Sequence, residues 1–168
     1  MIHKFKGMVP EIHKSCYVAE SAEIIGEVVL EEDVSIWFGA VIRADDNKIF
    51  IGKGSNIQDN CILHSSINYG NIVIGENVTV GHGVILHGCK ISNNSLIGMG
   101  SIILDGAEIG ENTIIGAGSL VTMNKKIPGG VLCMGSPAKV IRNLTKEDLD
   151  YINEGAKNYI NIISEYRE

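Results

Sequence analysis

The sequence is poor in what several functional classes require. Aromatic residues make up only 5% of it, so a core built on large rings is excluded. Concentrated basic charge is missing too: no Lys/Arg run exceeds Lys125-Lys126 and the net charge is −6. That argues against nucleic acid or an anionic membrane surface as partner, since both need a basic face. No apolar run approaches the roughly 18–20 residues of a membrane span. The opening stretch, "MIHKFKGMVPEIHKS", lacks the apolar centre of a secretory leader. Cysteines are few and scattered, at 16, 61, 89 and 133, with no C-x-x-C pair. They read as buried, reduced thiols, and the expectation is a soluble cytoplasmic protein. At 168 residues the chain is long enough for one domain with a real core.

What the chain has instead is a repeat. Aliphatic residues recur every six positions: Ala22, Val28, Val34, Ala40, then Ile51, Ile57, Leu63, then Ile74, Val80, Leu86. After one five-residue step they resume at Ile91, Ile97, Ile103, Ile109, Ile115, Val121 and Ile127. Glycine often follows the aliphatic, and the fifth place holds a small or apolar residue, as at Ser55, Cys61, Ser95, Ser101, Ala107 and Ser119. This is the hexapeptide pattern of a parallel β-helix, in which three hexapeptides make one triangular coil. A helix would repeat near 3.6 and a half-buried strand near 2. The sequence therefore predicts an all-β solenoid over residues 16–138, after an N-terminal arm (1–15) and before an exit segment and C-terminal helix (139–168). Two eleven-residue steps, "AVIRADDNKIF" and "LHSSINYGNIV", each read as one hexapeptide with about five residues bulging from a corner.

Thr145 with Asp148 three residues on gives a capping-box-like start to the final helix. Its apolar stripe is Leu149, Ile152, Ala156, Tyr159, Ile160 and Ile163, and a solenoid wall or a neighbouring subunit should receive it.

The repeat converts histidine spacing into geometry. His64 follows the inward Leu63 and His87 follows the inward Leu86, one full coil apart once the second interruption is absorbed. Stacked strands lie about 4.8 Å apart, so the two imidazoles are placed to share a metal ion. His82 lies around a corner from that pair, and the prism edge keeps it away within its own chain. Three prisms packed about a threefold axis would bring it against a neighbour's pair, giving three imidazoles with an open fourth position. Cys61, three before His64, sits at an inward fifth place and reads as packing. Arg43 with Asp45 by spacing alone is a corner ion pair, and Gln58-Asp59 a corner dipeptide.

The stretches "IWFGAVIRADDNKIFIGKGSNIQDNCILH", "VTVGHGVILHGC" and "GSPAKVIR" make the chain resemble the γ-class carbonic anhydrases and their bacterial homologues. The resemblance implies a left-handed β-helix, against the usual right-handed crossover rule. It implies a homotrimer that hydrates CO₂ reversibly to bicarbonate with a metal-bound hydroxide, the metal being Zn²⁺ or alternatively Fe²⁺. His64, His82 and His87 would be the ligands, with His82 donated across the interface. Arg43 and Asp45 would form an intersubunit salt bridge. Gln58, beside Asp59, would orient the metal-bound water, Tyr159 or its neighbour Asn158 would face the metal, and Asp46 would help the proton leave. The loop "SSINYGN" departs from the family pattern, having no acidic residue for proton transfer. "GSPAKVIR" is shared with hexapeptide acyltransferases, so an acyltransferase or acyl-CoA thioesterase is the alternative. Those enzymes use a single histidine as general base and do not need the stacked pair.

Overall fold

The computed structural model describes residues 1–166. The chain winds as the expected left-handed parallel β-helix, with a helix at its end. One face carries strands Ile62–His64, Ile85–His87, Ile102–Ile103 and Leu120–Val121. The next carries Ile72–Ile74, Lys90–Ile91, Glu108–Ile109 and Lys126–Ile127. The third carries Ser35–Ile36, Asn56–Ile57, Thr79–Val80, Leu96–Ile97 and Ile114–Ile115. Ile102 pairs with Leu120, 18 residues on, which is three hexapeptides. Ile62 pairs with Ile85, 23 residues on, so the extra residues of the second interruption leave the register intact.

The repeating aliphatics fill the prism: Leu63, Leu86, Ile103 and Val121 are fully buried, as are Ile57, Val80, Ile97 and Ile115. Fifth-place residues also point inward, and their hydroxyls knit the coils. Ser101 Oγ donates to Gly116 O and accepts from Ser119 N, and Ser95 Oγ donates to Gly110 O and accepts from Thr113 N. A buried hydroxyl used in both senses leaves no polar group stranded. Of the cysteines, Cys61, Cys89 and Cys133 are buried and free, whereas Cys16 is only partly buried. Burial pushes the thiols of Cys61 and Cys89 up to about 11 and about 12. They are therefore packing groups at neutral pH.

The first interruption does not bulge. Val41–Ile51 is one continuous strand that turns the corner while extended, pairing with Ile62–His64 at its start and Ile72–Ile74 at its end. Its alternation of buried Ile42, Ala44 and Ile49 with exposed Arg43 suits a strand, and the long strand Glu23–Leu30 pairs along it. Gly26, at φ +79, lies at the irregularity in that pairing, close against the Ala44 carbonyl. The second interruption does leave the coil as a loop, with Ile67 and Tyr69 exposed. In the N-terminal segment, Ile2–His3 and Glu11–Ile12 pair parallel with Glu23–Leu30.

The outer surfaces differ by face. Val41, Ile62, Ile85, Ile102 and Leu120 form an apolar ladder on the first. The second is ionic, with Lys126 Nζ 3.3 Å from Glu108. The third is partly covered by the helix Lys146–Ile162, capped by Thr145 and Asp148 as expected. Ile152 and Ala156 of its stripe are buried, Tyr159 meets Trp37 edge-on at 5.3 Å, and Ile160 packs toward Gly54. The solenoid wall thus receives the stripe. No helix among the described residues is long and apolar enough to cross a membrane.

Candidate metal centre

His64 and His87 end neighbouring strands of the first face and are paired in register. His64 Nδ1 lies 3.2 Å from His87 Nε2, with ring centroids 5.2 Å apart. Two nitrogens bound at about 2.0–2.1 Å to one tetrahedral zinc would lie about 3.3 Å apart. Both rings are mostly shielded, with His64 the more buried.

The polar contacts around the pair leave one buried nitrogen without a hydrogen-bond partner. His87 Nδ1 faces Asp105 Oδ1 at 2.5 Å; with the ring hydrogen on that side, Nε2 is left to accept. His64 must then donate from Nδ1, which leaves its Nε2 without a hydrogen. That nitrogen faces Asp45 Oδ1 at 3.2 Å, and both atoms are buried without a hydrogen-bond partner. Two buried acceptors opposed in this way carry a desolvation cost. A positive guest relieves it, either a proton on His64 or a cation on the ring nitrogens. The donor set, imidazoles flanked by carboxylates, fits zinc or ferrous iron.

Arg43 donates to Asp45 at 2.5 Å within the chain. Burial pushes the Asp45 carboxyl up, but the Arg43 hydrogen bond, a backbone donor and the Arg43 charge outweigh it and hold it below its usual range. Asp46 is exposed, and its carboxylate groups with Asp45 and His64 within 4.8 Å.

The remaining predicted residues gather around the corner. His82 Nδ1 lies 2.7 Å from Asp59, and the ring is half exposed. Among the described residues, no cluster of possible metal-holding atoms includes His82 together with His64 or His87. Gln58 is buried and donates to Asn56 Oδ1 at 3.2 Å, and Asn56 donates to Thr79 Oγ1 at 2.9 Å. Gln58, His82, Asn158 and Tyr159 line one cavity of about 530 Å³ beneath the helix, with Leu96 and Met99 on its wall. Burial, then the Asp59 charge, raises the Tyr159 hydroxyl above its ordinary value, so it stays protonated.

Three residues of this arrangement were not legible in the sequence. Asp105 stands in an Asp-Gly pair that reads as a turn. Asn56 and Thr79 occupy ordinary strand positions. The Asp105–His87 and Asn56–Thr79 contacts arise only through coil stacking.

Comparison with known proteins follows the same lines. The model of the bacterial transferase hexapeptide (six repeats) family matches residues 88–122. A carbonic anhydrase of Geobacillus kaustophilus is 51% identical over 95% of this chain and 87% of its own length. Gamma carbonic anhydrase 2, mitochondrial, of Arabidopsis thaliana is 44% identical over 91% of this chain, which spans 57% of that relative's length. A solved Bacillus cereus structure described as a putative acetyltransferase superposes with a TM-score of 0.96 at 48% identity, covering 98% of this chain and 95% of that one.

Proposed function

The chain belongs to the γ-class carbonic anhydrase family, and on that premise we propose that it hydrates CO₂ reversibly at zinc sites shared between subunits of a homotrimer in the cytoplasm. The observation that carries this reading is the His64–His87 pair, set 3.2 Å apart beside a buried His64 Nε2 that has no hydrogen-bond partner. The apolar ladder of the first face supports association, because a soluble monomer seldom leaves such a strip to water. His82 is turned outward on Asp59, at the edge where a neighbour would meet it.

His64 and His87 would hold the ion together with the partner subunit's His82. Zinc, when bound, supplies a Lewis acid that makes hydroxide available near neutral pH; ferrous iron suits the same nitrogens. The carboxylates of Asp45, Asp59 and Asp105 orient the three rings, and Arg43 steadies Asp45, either within the chain or across the interface. Gln58 commits one N–H to Asn56, which fixes the amide so that its carbonyl can accept from water and aim it at CO₂. Tyr159, with Asn158, walls the cavity and limits bulk water. Asp46, exposed beside His64, takes the departing proton to solvent, the role the loop 65–71 lacks a carboxylate to perform.

Acyl transfer or acyl-CoA thioester hydrolysis is the second reading. One observation favours it: His82 borders a cavity of about 530 Å³ with apolar walls, room for an acyl group. The two readings separate on metal content. Protein purified without chelator should carry about one zinc or iron per chain, lost in His82→Ala while the oligomer persists. CO₂ hydration measured by stopped flow should follow metal content. Metal-free wild-type protein that transfers acetyl from acetyl-CoA overturns the hydratase reading.

A further inference from the structure

The geometry points to Asp105 as the positioning residue that sets the tautomer of His87, with the short loop 65–71 as its cover. The inference rests on the metal-binding reading above and adds a residue and a loop to it.

Asp105 follows the strand Ile102–Ile103 and is 8% exposed. Its Oδ1 lies 2.5 Å from His87 Nδ1, and among the described residues no Lys or Arg pairs with it. Asp45, by contrast, is paired with Arg43, and Asp59 is about one-third exposed. A carboxylate with one partner acts on that partner alone. An ionised carboxylate only accepts, so the single hydrogen of a neutral His87 ring is drawn to Nδ1. Nε2 is left bare, on the side facing His64. Carboxylate–imidazole pairs of this kind orient metal-binding rings and raise their basicity.

The cover is built over Gly88. A side chain added there would fall well inside contact distance of Asp105 Oδ1, 3.1 Å from Tyr69 Cβ and 3.3 Å from Ser65 Oγ. Asp105, Tyr69 and Ser65 therefore converge on a space that only glycine leaves open, and Gly88 has φ +52. Ser65 donates to the Gly70 carbonyl, and Asn47 Nδ2 donates to Ser66 O at 2.7 Å, which closes the loop on itself and on the neighbouring strand.

Asp105→Asn and Asp105→Glu test this with two readouts. The first is the ring-nitrogen NMR spectrum of the metal-free protein, at a pH where His87 is neutral. The second is zinc affinity by competition with a chromophoric chelator. Wild-type His87 should be protonated on Nδ1. D105N should shift the ring toward the other tautomer and bind zinc about 10–100-fold more weakly, and D105E should recover part of both. A wild-type ring protonated on Nε2, or a D105N protein with unchanged tautomer or zinc affinity, overturns the inference. The wild-type spectrum decides alone if D105N does not fold. If wild type binds no zinc yet its Nδ1–H tautomer shifts in D105N, the hold of Asp105 on His87 stands and the metal reading falls.

Discussion

His64 and His87 are 23 residues apart in the chain and directly opposite one another on adjacent strands, with ring nitrogens 3.2 Å apart. His82, only five residues from His87, is held elsewhere, by Asp59. The short spacing is thus the one that does not make a pair within the chain.

That division gives a complementation experiment. His82→Ala and His64→Ala should each abolish metal binding. Mixed and allowed to exchange subunits, the two should regain part of it, because some interfaces would then hold intact His64, His87 and His82. Metal analysis of the mixed oligomer checks this. No recovery in demonstrably exchanged trimers sinks the shared site.

The helix cap carries a pH dependence. Asp148 accepts from Arg142 and from the Thr145 backbone N–H, and these hold its carboxyl far below the ordinary value. A depressed carboxyl adds stability that is complete above its unfolded value of about 3.9 and disappears as pH falls through the folded one. Asp148→Asn should therefore be less stable than wild type at pH 7, and the difference should narrow as the pH falls below about 4. Urea unfolding of both proteins across that range reads it directly. A difference that stays constant into acid refutes the assignment.

Two glycines separate backbone strain from steric clash. Gly7 and Gly26 both have positive φ, but an added Cβ at Gly7 meets nothing, whereas at Gly26 it collides with the Ala44 carbonyl. Gly7→Ala should cost about 1–2 kcal/mol, the conformational penalty alone. Gly26→Ala should cost more and disturb the paired strand that carries Arg43 and Asp45. Denaturant midpoints compare the two, and equal losses would show that the close approach does not matter.

Much of the fold was legible because it is periodic. The six-residue recurrence of aliphatics reports which side chains face inward, and inward-facing residues of a β-helix are buried whatever surrounds the prism. The His64–His87 column followed from the same count. The continuous strand Val41–Ile51 was not legible. Its extra residues look like an insertion until Glu23–Leu30 is seen offering backbone partners beside them. The roles of Asp105, Asn56 and Thr79 were hidden for a related reason: their partners lie 18, 2 and 23 residues away, and only stacking brings the distant ones together.

By itself, then, the sequence determined the solenoid, its inward residues, the helix cap and the pairing of two histidines. All of these depend on spacing along one chain. Only the tertiary structure decided which carboxylate faces each histidine, that His64 Nε2 and Asp45 Oδ1 are buried without a hydrogen-bond partner, and that Ser65, Tyr69 and Asp105 converge on Gly88. Hydrogen-bond inventories and close contacts depend on ångström-scale distances between coils, and periodicity does not encode them.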